Sequence, residues 1–327
     1  MSKYTESDVS ILIPVFKPGP YFKNCIKSAL ATSSEEIIVS INDFKNYPIY
    51  DFDHILDNKR ISVIRQQKQL GLWGNHLFLL RESTKPWIKF LHGDDLIKNG
   101  FLKELIEYAD DKISVIGVVV LYQDLKSGLI QKTFELKDPV RWTSDDYMKR
   151  VCITGNELGC PSSTLYRRDS LDFTEEAWAN NMNSDYVANI IAASRGDVML
   201  IPPGGIISGN HSGRDSFNQG FESFLIRHIN DAKYLNKYPN IKVNKVGIIY
   251  GYVEGIGVVR SLIGMLRRGK KVRISNIFKS FKMVLSYLPK VIINKEYLIL
   301  SYKAFCWKFS STKYGNRENR DVTILKM

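Results

Sequence analysis

The chain opens on a run, Val9-Ser10-Ile11-Leu12-Ile13-Pro14-Val15-Phe16, that is apolar at nearly every position rather than at every second one. A short β-branched run of this kind predicts a parallel strand buried on both faces. Lys17-Pro18-Gly19-Pro20 is a turn, and Phe22, Cys25, Ile26, Ala29 and Leu30 then recur at helical spacing, predicting a helix over 21–32. EIIVSI at 36–41 is a second strand ending at Asn42-Asp43, and RISVIR at 60–65 is a third. A helix starting at 74, a strand over 87–91, a helix over 101–109 and a β-rich run over 113–122 follow. Strands alternating with helices predict an α/β layer around a mostly parallel sheet. Ligands of such sheets sit beyond the carboxyl ends of the strands. Three of those ends carry candidate residues: 14–17, Asn42-Asp43 and His92-Gly93-Asp94-Asp95.

Composition narrows the class. With 44% hydrophobic and 24% charged residues the chain is an ordinary globular one, which excludes wholesale disorder and a collagen-like fibre. Its 327 residues correspond to roughly two domains. Cys25, Cys152, Cys160 and Cys306 form no CxxC pair, which fits a reducing compartment and gives no thiolate metal site. The first apolar run is short and interrupted by Pro14, so no signal segment is expected and the cytoplasm is the expected location. The net charge of +12 is segregated: residues 260–313 hold 13 Lys and Arg against a single acid, Glu296, whereas 1–259 are nearly neutral. That asymmetry predicts a catalytic or binding domain over 1–240 and a basic helical appendage over 241–327.

Neither GxGxxG nor GxxxxGK[ST] is present, so a dinucleotide fold and a P-loop are not expected. The adjacent carboxylates Asp94 and Asp95, placed directly after a buried strand, have two readings. Held together they need a cation, and Mg²⁺ or Mn²⁺ sharing phosphate oxygens is a natural partner. Alternatively one of them caps a helix over 96–108.

The order of motifs resembles the family 2 glycosyltransferases, the inverting enzymes of the GT-A fold. The opening strand up to Lys17, the EIIVSIND segment, Gln69-Leu70-Gly71-Leu72-Trp73-Gly74-Asn75, Phe90-Leu91-His92-Gly93-Asp94-Asp95, Ser184-Asp185-Tyr186 and Gly209-Asn210-His211-Ser212 stand in the family's sequence of elements, over residues 8 to 220. The resemblance implies a mostly parallel sheet flanked by helices and a nucleotide-diphosphate sugar, a UDP-sugar foremost, as donor. It places Pro14, Val15 and Phe16 at the nucleobase, Asn42 or Asp43 at base or ribose, and Asn75 and His92 at the nucleotide. Asp94 would hold the diphosphate-bridging metal and touch the nucleotide, with Asp95 and His211 completing the metal's surroundings, and Asp185 would be the general base. Read without the family, Asp185 is an ordinary residue of a helix over 178–193, His211 a solvated histidine and Trp73 a core residue. Two departures stand out. His92 replaces the first Asp of the acidic motif, and Gly209 or Asn210 stands where an Arg is expected, leaving phosphate to Arg214 or Lys17.

In the basic segment, 255–268 and 274–288 each show one apolar helical face with Lys and Arg beside it. Basic amphipathic helices of this kind predict either an interfacial position on an anionic leaflet or a subdomain packed on the catalytic core. No stretch of about 18 residues is free of charge, so no spanning helix is expected. Nucleic acid is not an expected partner, because the catalytic part is neutral. Together these features predict a transferase at the inner face of the cell membrane, acting on a glycan or polyprenyl-diphosphate-linked acceptor in O-antigen or capsule synthesis. The alternative is a catalytically inactive relative serving as a binding or scaffold subunit.

Overall fold

The structure, a computed structural model, describes residues 3–16, 18–42, 57–119, 121–124, 130–132, 136–155, 157–210, 221–267 and 274–310. Strands β1 (Val9–Val15), β2 (Glu36–Ile41), β3 (Ile61–Arg65), β4 (Trp87–Phe90), β6 (Ile113–Val118), β9 (Val140–Trp142), β10 (Thr164–Arg167) and β11 (Asp197–Ile201) form one sheet in the order β3-β2-β1-β4-β10-β6-β11-β9. β1, β2, β3 and β4 run parallel, as do β6 and β11, while β10 is antiparallel to both β4 and β6. A second, four-stranded sheet joins β5 (Leu96–Ile97), β12 (Ile206–Asn210), β7 (Leu121–Asp124) and β8 (Ile130–Lys132).

The apolar runs are continuous because both faces of the large sheet are covered. Val9, Ile11, Ile13 and Val15 of β1 enter one core and Leu12 enters the other; Ile37, Val39 and Ile41 of β2 separate from Ile38 in the same way. The first face packs on helices α1 (Phe22–Leu30) and α3 (Phe101–Glu107). The second packs on α2 (Gly71–Glu82), α4 (Ser144–Thr154) and α5 (Ser184–Ser194). Each Leu, Ile or Phe so buried contributes about 1.5–3 kcal/mol, which fixes the register of the strands whose ends build the site.

Four more helices follow: α6 (Phe221–Lys237), α7 (Ile241–Arg267), α8 (Ile274–Ile293) and α9 (Lys295–Ser310). They differ from the sequence expectation in length and in facing. α7 begins well before 255, because Val243, Val246, Ile249 and Val253 join the second core, where Leu300 and Ala304 of α9 also lie. The segment Ile241–Ile263 has the length and apolar composition to cross a membrane, but 56% of its most apolar 18 residues are buried inside the molecule. In α8 the inward face is Met283, Tyr287 and Val291, packed with Ala232 and Ile248. The stripe read from the sequence points the other way: Phe278, Phe281 and Leu285 are half or more exposed.

α7 crosses α6 closely at Gly247, where an added Cβ would lie 2.3 Å from the backbone nitrogen of Asn236. Backbone cannot move aside as a side chain can, so Gly247→Ala is expected to destabilise the fold by about 1–3 kcal/mol. Thermal melting should show a drop of several degrees in Tm, with Gly19→Ala, which meets nothing within 4 Å, unchanged.

Candidate active site

The carboxyl ends of β1, β2 and β4 meet at one edge. The Asn42 N–H donates to Val15 O at 2.7 Å, and the Leu91 N–H donates to Leu12 O at 2.9 Å. Pro14 is half-buried and Val15 buried, while Phe16 is 44% exposed and offers its ring at the end of β1. Asn42 is turned inward: its Oδ1 accepts from the Leu70 N–H at 2.7 Å and its amide donates to Gly71 O at 3.2 Å. Asn75 is buried likewise, accepting from Ser40 Oγ at 2.6 Å and donating to Ser40 O at 3.2 Å. Both asparagines therefore tie α2 to β2. Gly71, with φ of +76°, leaves room for Asn180, whose Oδ1 accepts from the Trp73 N–H at 3.0 Å. Trp73 is core, its indole N–H donating to Met182 O at 2.9 Å.

Asp94 and Asp95 cap no helix. Leu96–Ile97 is strand β5, and α3 starts only after Gly100. Asp94 is half-buried, whereas Asp95 is fully buried and its Oδ1 accepts from the Gly209 N–H of β12 at 3.0 Å. Asp95 thus locks the second sheet to the end of β4. β12 stops at Asn210, directly before His211. His211, Asp43, Lys17 and Arg214 lie outside the described residues.

His92 is held on three sides. Its backbone N–H donates to Ser162 Oγ at 2.9 Å, its carbonyl accepts from Cys25 Sγ at 3.2 Å, and its Nε2 lies 3.0 Å from Nε2 of His76. His76 Nδ1 is 2.9 Å from Leu72 O, an acceptor, so Nδ1 carries the His76 proton and Nε2 accepts from His92. Burial, aided by His92, pushes His76 down to about 3, so it stays neutral near neutrality. The remaining His92 nitrogen, Nδ1, faces Asp95 Oδ2 at 3.8 Å. Behind them Lys89 is fully buried, donating to Thr164 O at 3.2 Å and to Ser162 O. Burial lowers its ammonium to about 7, against the pull of Cys160 and Asp95.

Asp185 occupies the first turn of α5, its Oδ1 accepting from the Tyr186 N–H at 2.9 Å. Its surface is only partly covered, yet the neighbourhood is dense, and burial pushes its carboxyl above the usual carboxylate range despite the Tyr186 N–H and Arg227. Asp185 acts electrostatically on Tyr166, as does Cys160, while Lys89 senses both Cys160 and Asp95. Tyr166 also donates to Asn189 Oδ1 at 2.6 Å, and Asn189 in turn donates to Gly159 O at 3.1 Å. The 159–164 loop therefore links β4, through Lys89 and His92, to the middle of α5, through Asn189. Sequence reading missed Lys89, His76 and Asp231. Lys89 had a signal, a lone cation in the apolar strand WIKF; the other two had none.

Among the described residues no group of three or more His, Cys, Asp or Glu converges on a metal position. Asp94 at the edge of the cleft fits an ion shared with a ligand's phosphates, and does not fit a cage built from protein alone.

A mostly parallel sheet covered by helices on both faces, with the ends of β1, β2 and β4 meeting at one edge, is the arrangement of the GT-A fold. The profile of glycosyl transferase family 2 matches residues 10–173, and the chain belongs to that family. Its fold is similar to S. aureus TarS residues 1–349 crystallised with UDP-GlcNAc, at 12% identity and a TM-score of 0.63, covering 92% of this chain and 90% of that one. The same fragment crystallised with UDP gives 12% identity and 0.58, covering 91% and 88%. None of the curated proteins matches the chain in sequence.

The contrast between the neighbouring carboxylates is testable by melting the unliganded protein. Asp94→Asn should leave Tm nearly unchanged, as surface changes stay within about 0.5 kcal/mol. Asp95→Ala should cost about 1–3 kcal/mol, because the buried Gly209 N–H loses its acceptor.

Proposed function

We propose that the chain is an inverting transferase that moves a sugar from a UDP-sugar to a hydroxyl of a glycan acceptor. The observation that carries this reading is the position of Asp94 just beyond the carboxyl end of β4, where the ends of β1 and β2 meet it, in a chain of this transferase family. The UDP-GlcNAc bound by the similar TarS fragment supports a uridine donor. Phe16 offers its ring to the base beside Pro14 and Val15, and His92, whose Nε2 proton goes to His76, keeps Nδ1 to accept from a nucleotide hydroxyl. Asp94 would hold a Mg²⁺ or Mn²⁺ ion, which when bound offsets charge growing on the departing diphosphate. Asp95, bonded to Gly209, braces Asp94 from behind. Asp185 takes the proton of the acceptor hydroxyl as its oxygen forms a bond to the anomeric carbon and the bond to diphosphate breaks on the opposite side. One such in-line displacement inverts the centre and needs no protein nucleophile.

The exposed faces of α8 and α9 supply the acceptor's setting. Phe278, Phe281, Leu285, Ile292, Ile293 and Tyr302 are exposed on the most basic part of the chain, beside Lys279, Lys282, Lys295 and Lys303. Apolar side chains interleaved with lysines match an anionic leaflet, each basic residue contributing about 1 kcal/mol. A peripheral position at the inner face of the cell membrane follows, with a polyprenyl-diphosphate-linked acceptor of a surface polysaccharide, O-antigen or capsule. A second reading, an inactive scaffold relative, is favoured by one observation: His92, in place of an acid, is engaged with His76.

Thermal shift decides between the two readings. UDP with Mn²⁺ at 100 times its Kd should stabilise the wild type by about 2.7 kcal/mol, and Asp94→Asn should lose that gain. No shift with UDP, GDP, dTDP or CMP would favour the scaffold. Asp185→Asn should lower kcat by about 10²–10⁴ without weakening UDP binding. Because the base must be ionised and burial raises its carboxyl, wild-type kcat should fall as pH drops, with the inflection above the ordinary 3.8. Flotation with anionic phosphatidylglycerol vesicles should carry the wild type and leave Phe278→Glu/Phe281→Glu/Leu285→Glu behind. Competitor RNA that strips the wild type from lipid would sink the membrane reading.

A further inference from the structure

We propose that Asp231 is a positioning residue for the Asp185 base: through Asn183 it holds the turn that carries the base, and it sets a second carboxylate behind it. This rests on the transferase reading above. α6 delivers Asp231 into the interior, with 0% of its surface exposed. Its Oδ1 accepts from the backbone N–H of Asn183 at 2.9 Å, and its Oδ2 accepts from the Asn183 side-chain amide at 2.7 Å. Asn183 immediately precedes α5, two residues before Asp185. An Asn at this position commonly turns its side chain onto its own helix's first N–H groups. Asn183 makes no such bond and gives its amide to Asp231 instead. The start of α5 is therefore fixed from α6. The preceding residues are strapped as well: Met182 O accepts from Trp73, Asn181 O accepts from Asn230 at 2.9 Å, and Asn180 is bonded to α2. Among these described straps, Asp231 alone carries charge.

The groups around it come from three helices. Asp185 and Tyr186 approach from α5, Arg227 and His228 lie on α6 itself, and Tyr250 and Glu254 approach from α7. His228 is bonded to Tyr250, and Tyr250 stacks on Tyr186 with centroids 4.9 Å apart. α8 meets α6 where Met283, Tyr287 and Val291 share a cluster with Ala232, and at Asn236, through Lys290. Burial above all, with Asp185 adding to it, raises the Asp231 carboxyl to about 7 against the pull of the Asn183 N–H groups and Arg227. Two neighbouring carboxyls of this kind release their protons in separate steps. Asp231 releases its proton near neutrality. Its ionisation turns the two Asn183 bonds into charge-assisted ones, which are shorter and stronger. The clamp on the base therefore tightens as pH rises through about 7.

The test is transfer by the full chain, measured on both sides of pH 7, for wild type, Asp231→Ala and Asp231→Asn. Asp231→Ala should lower kcat about 10–100-fold with UDP binding unchanged, since a small misplacement of a reacting group has that effect. Asp231→Asn can still accept the Asn183 N–H and can donate to a rotated Asn183 amide. It should recover most of kcat but lack the wild-type rise near pH 7. Melting gives a readout independent of transfer. The folded carboxyl, at about 7, lies above the ordinary 3.8, so the folded state holds a proton that the unfolded chain releases. This contribution is full below about pH 4 and is lost as pH rises through about 7, a decline that Asp231→Asn should abolish. Wild-type kcat in Asp231→Ala, or an unchanged pH profile in Asp231→Asn, would overturn the proposal while leaving the transferase reading intact. A wild type with neither transfer nor a UDP shift would overturn both. If Asp231→Ala does not fold, Asp231→Asn alone carries the test.

Discussion

Lys89 and Asp95 are enclosed at the carboxyl end of β4, and the geometry there depends on how they are satisfied. Lys89 and Asp95 are both fully buried, and each feels the other. A buried ion needs partners or it shifts towards its neutral form. Lys89 finds carbonyls of the 159–164 loop, and Asp95 finds the Gly209 N–H. Through the first, the loop in front of α5 is pinned to the central strand. Through the second, the smaller sheet is pinned beside Asp94. β4 is also where the sheet changes from parallel to antiparallel, so these bonds set the junction between its two halves.

The C-terminal helices serve two purposes. α7 and α9 close the second core, so the basic segment is built onto the α/β layer. α6 reaches further, placing Asp231 against the turn that carries Asp185. The outward faces of α8 and α9 remain apolar and basic at once. That surface lies on α8 and α9, whereas the turn before α5 is braced by α6, and α6 and α8 share one packed cluster.

Legibility in the sequence followed burial on two faces. β1, β2 and β4 were readable because strands covered on both sides have no polar alternation to misread, and Asp94 stood out as an acid directly after such a strand. The helix expected over 101–109 was readable, but the alternative start at 96 was not excluded locally, because Leu96–Ile97 pairs with β12, a partner more than a hundred residues away. The apolar stripe of α8 was visible, but its direction was not. Met283, Tyr287 and Val291 take the inward face because they meet Ala232 and Ile248 across a close helix crossing. Asn42 and Asn75 looked like ligand contacts and are cross-links, because α2 packs so closely on β2 that their amides reach backbone and Ser40.

The sequence by itself determined the α/β layer, the segregation of charge and the order of motifs, since each is written in local spacing and residue type. The tertiary structure decided which polar groups face the cleft and which hold it together. His76 against His92, Lys89 under the loop and Asp231 behind Asp185 join residues on different elements. Such pairs form because a buried hydrogen-bonding group must find a partner wherever packing places one, and the chain's local pattern carries no record of that distance.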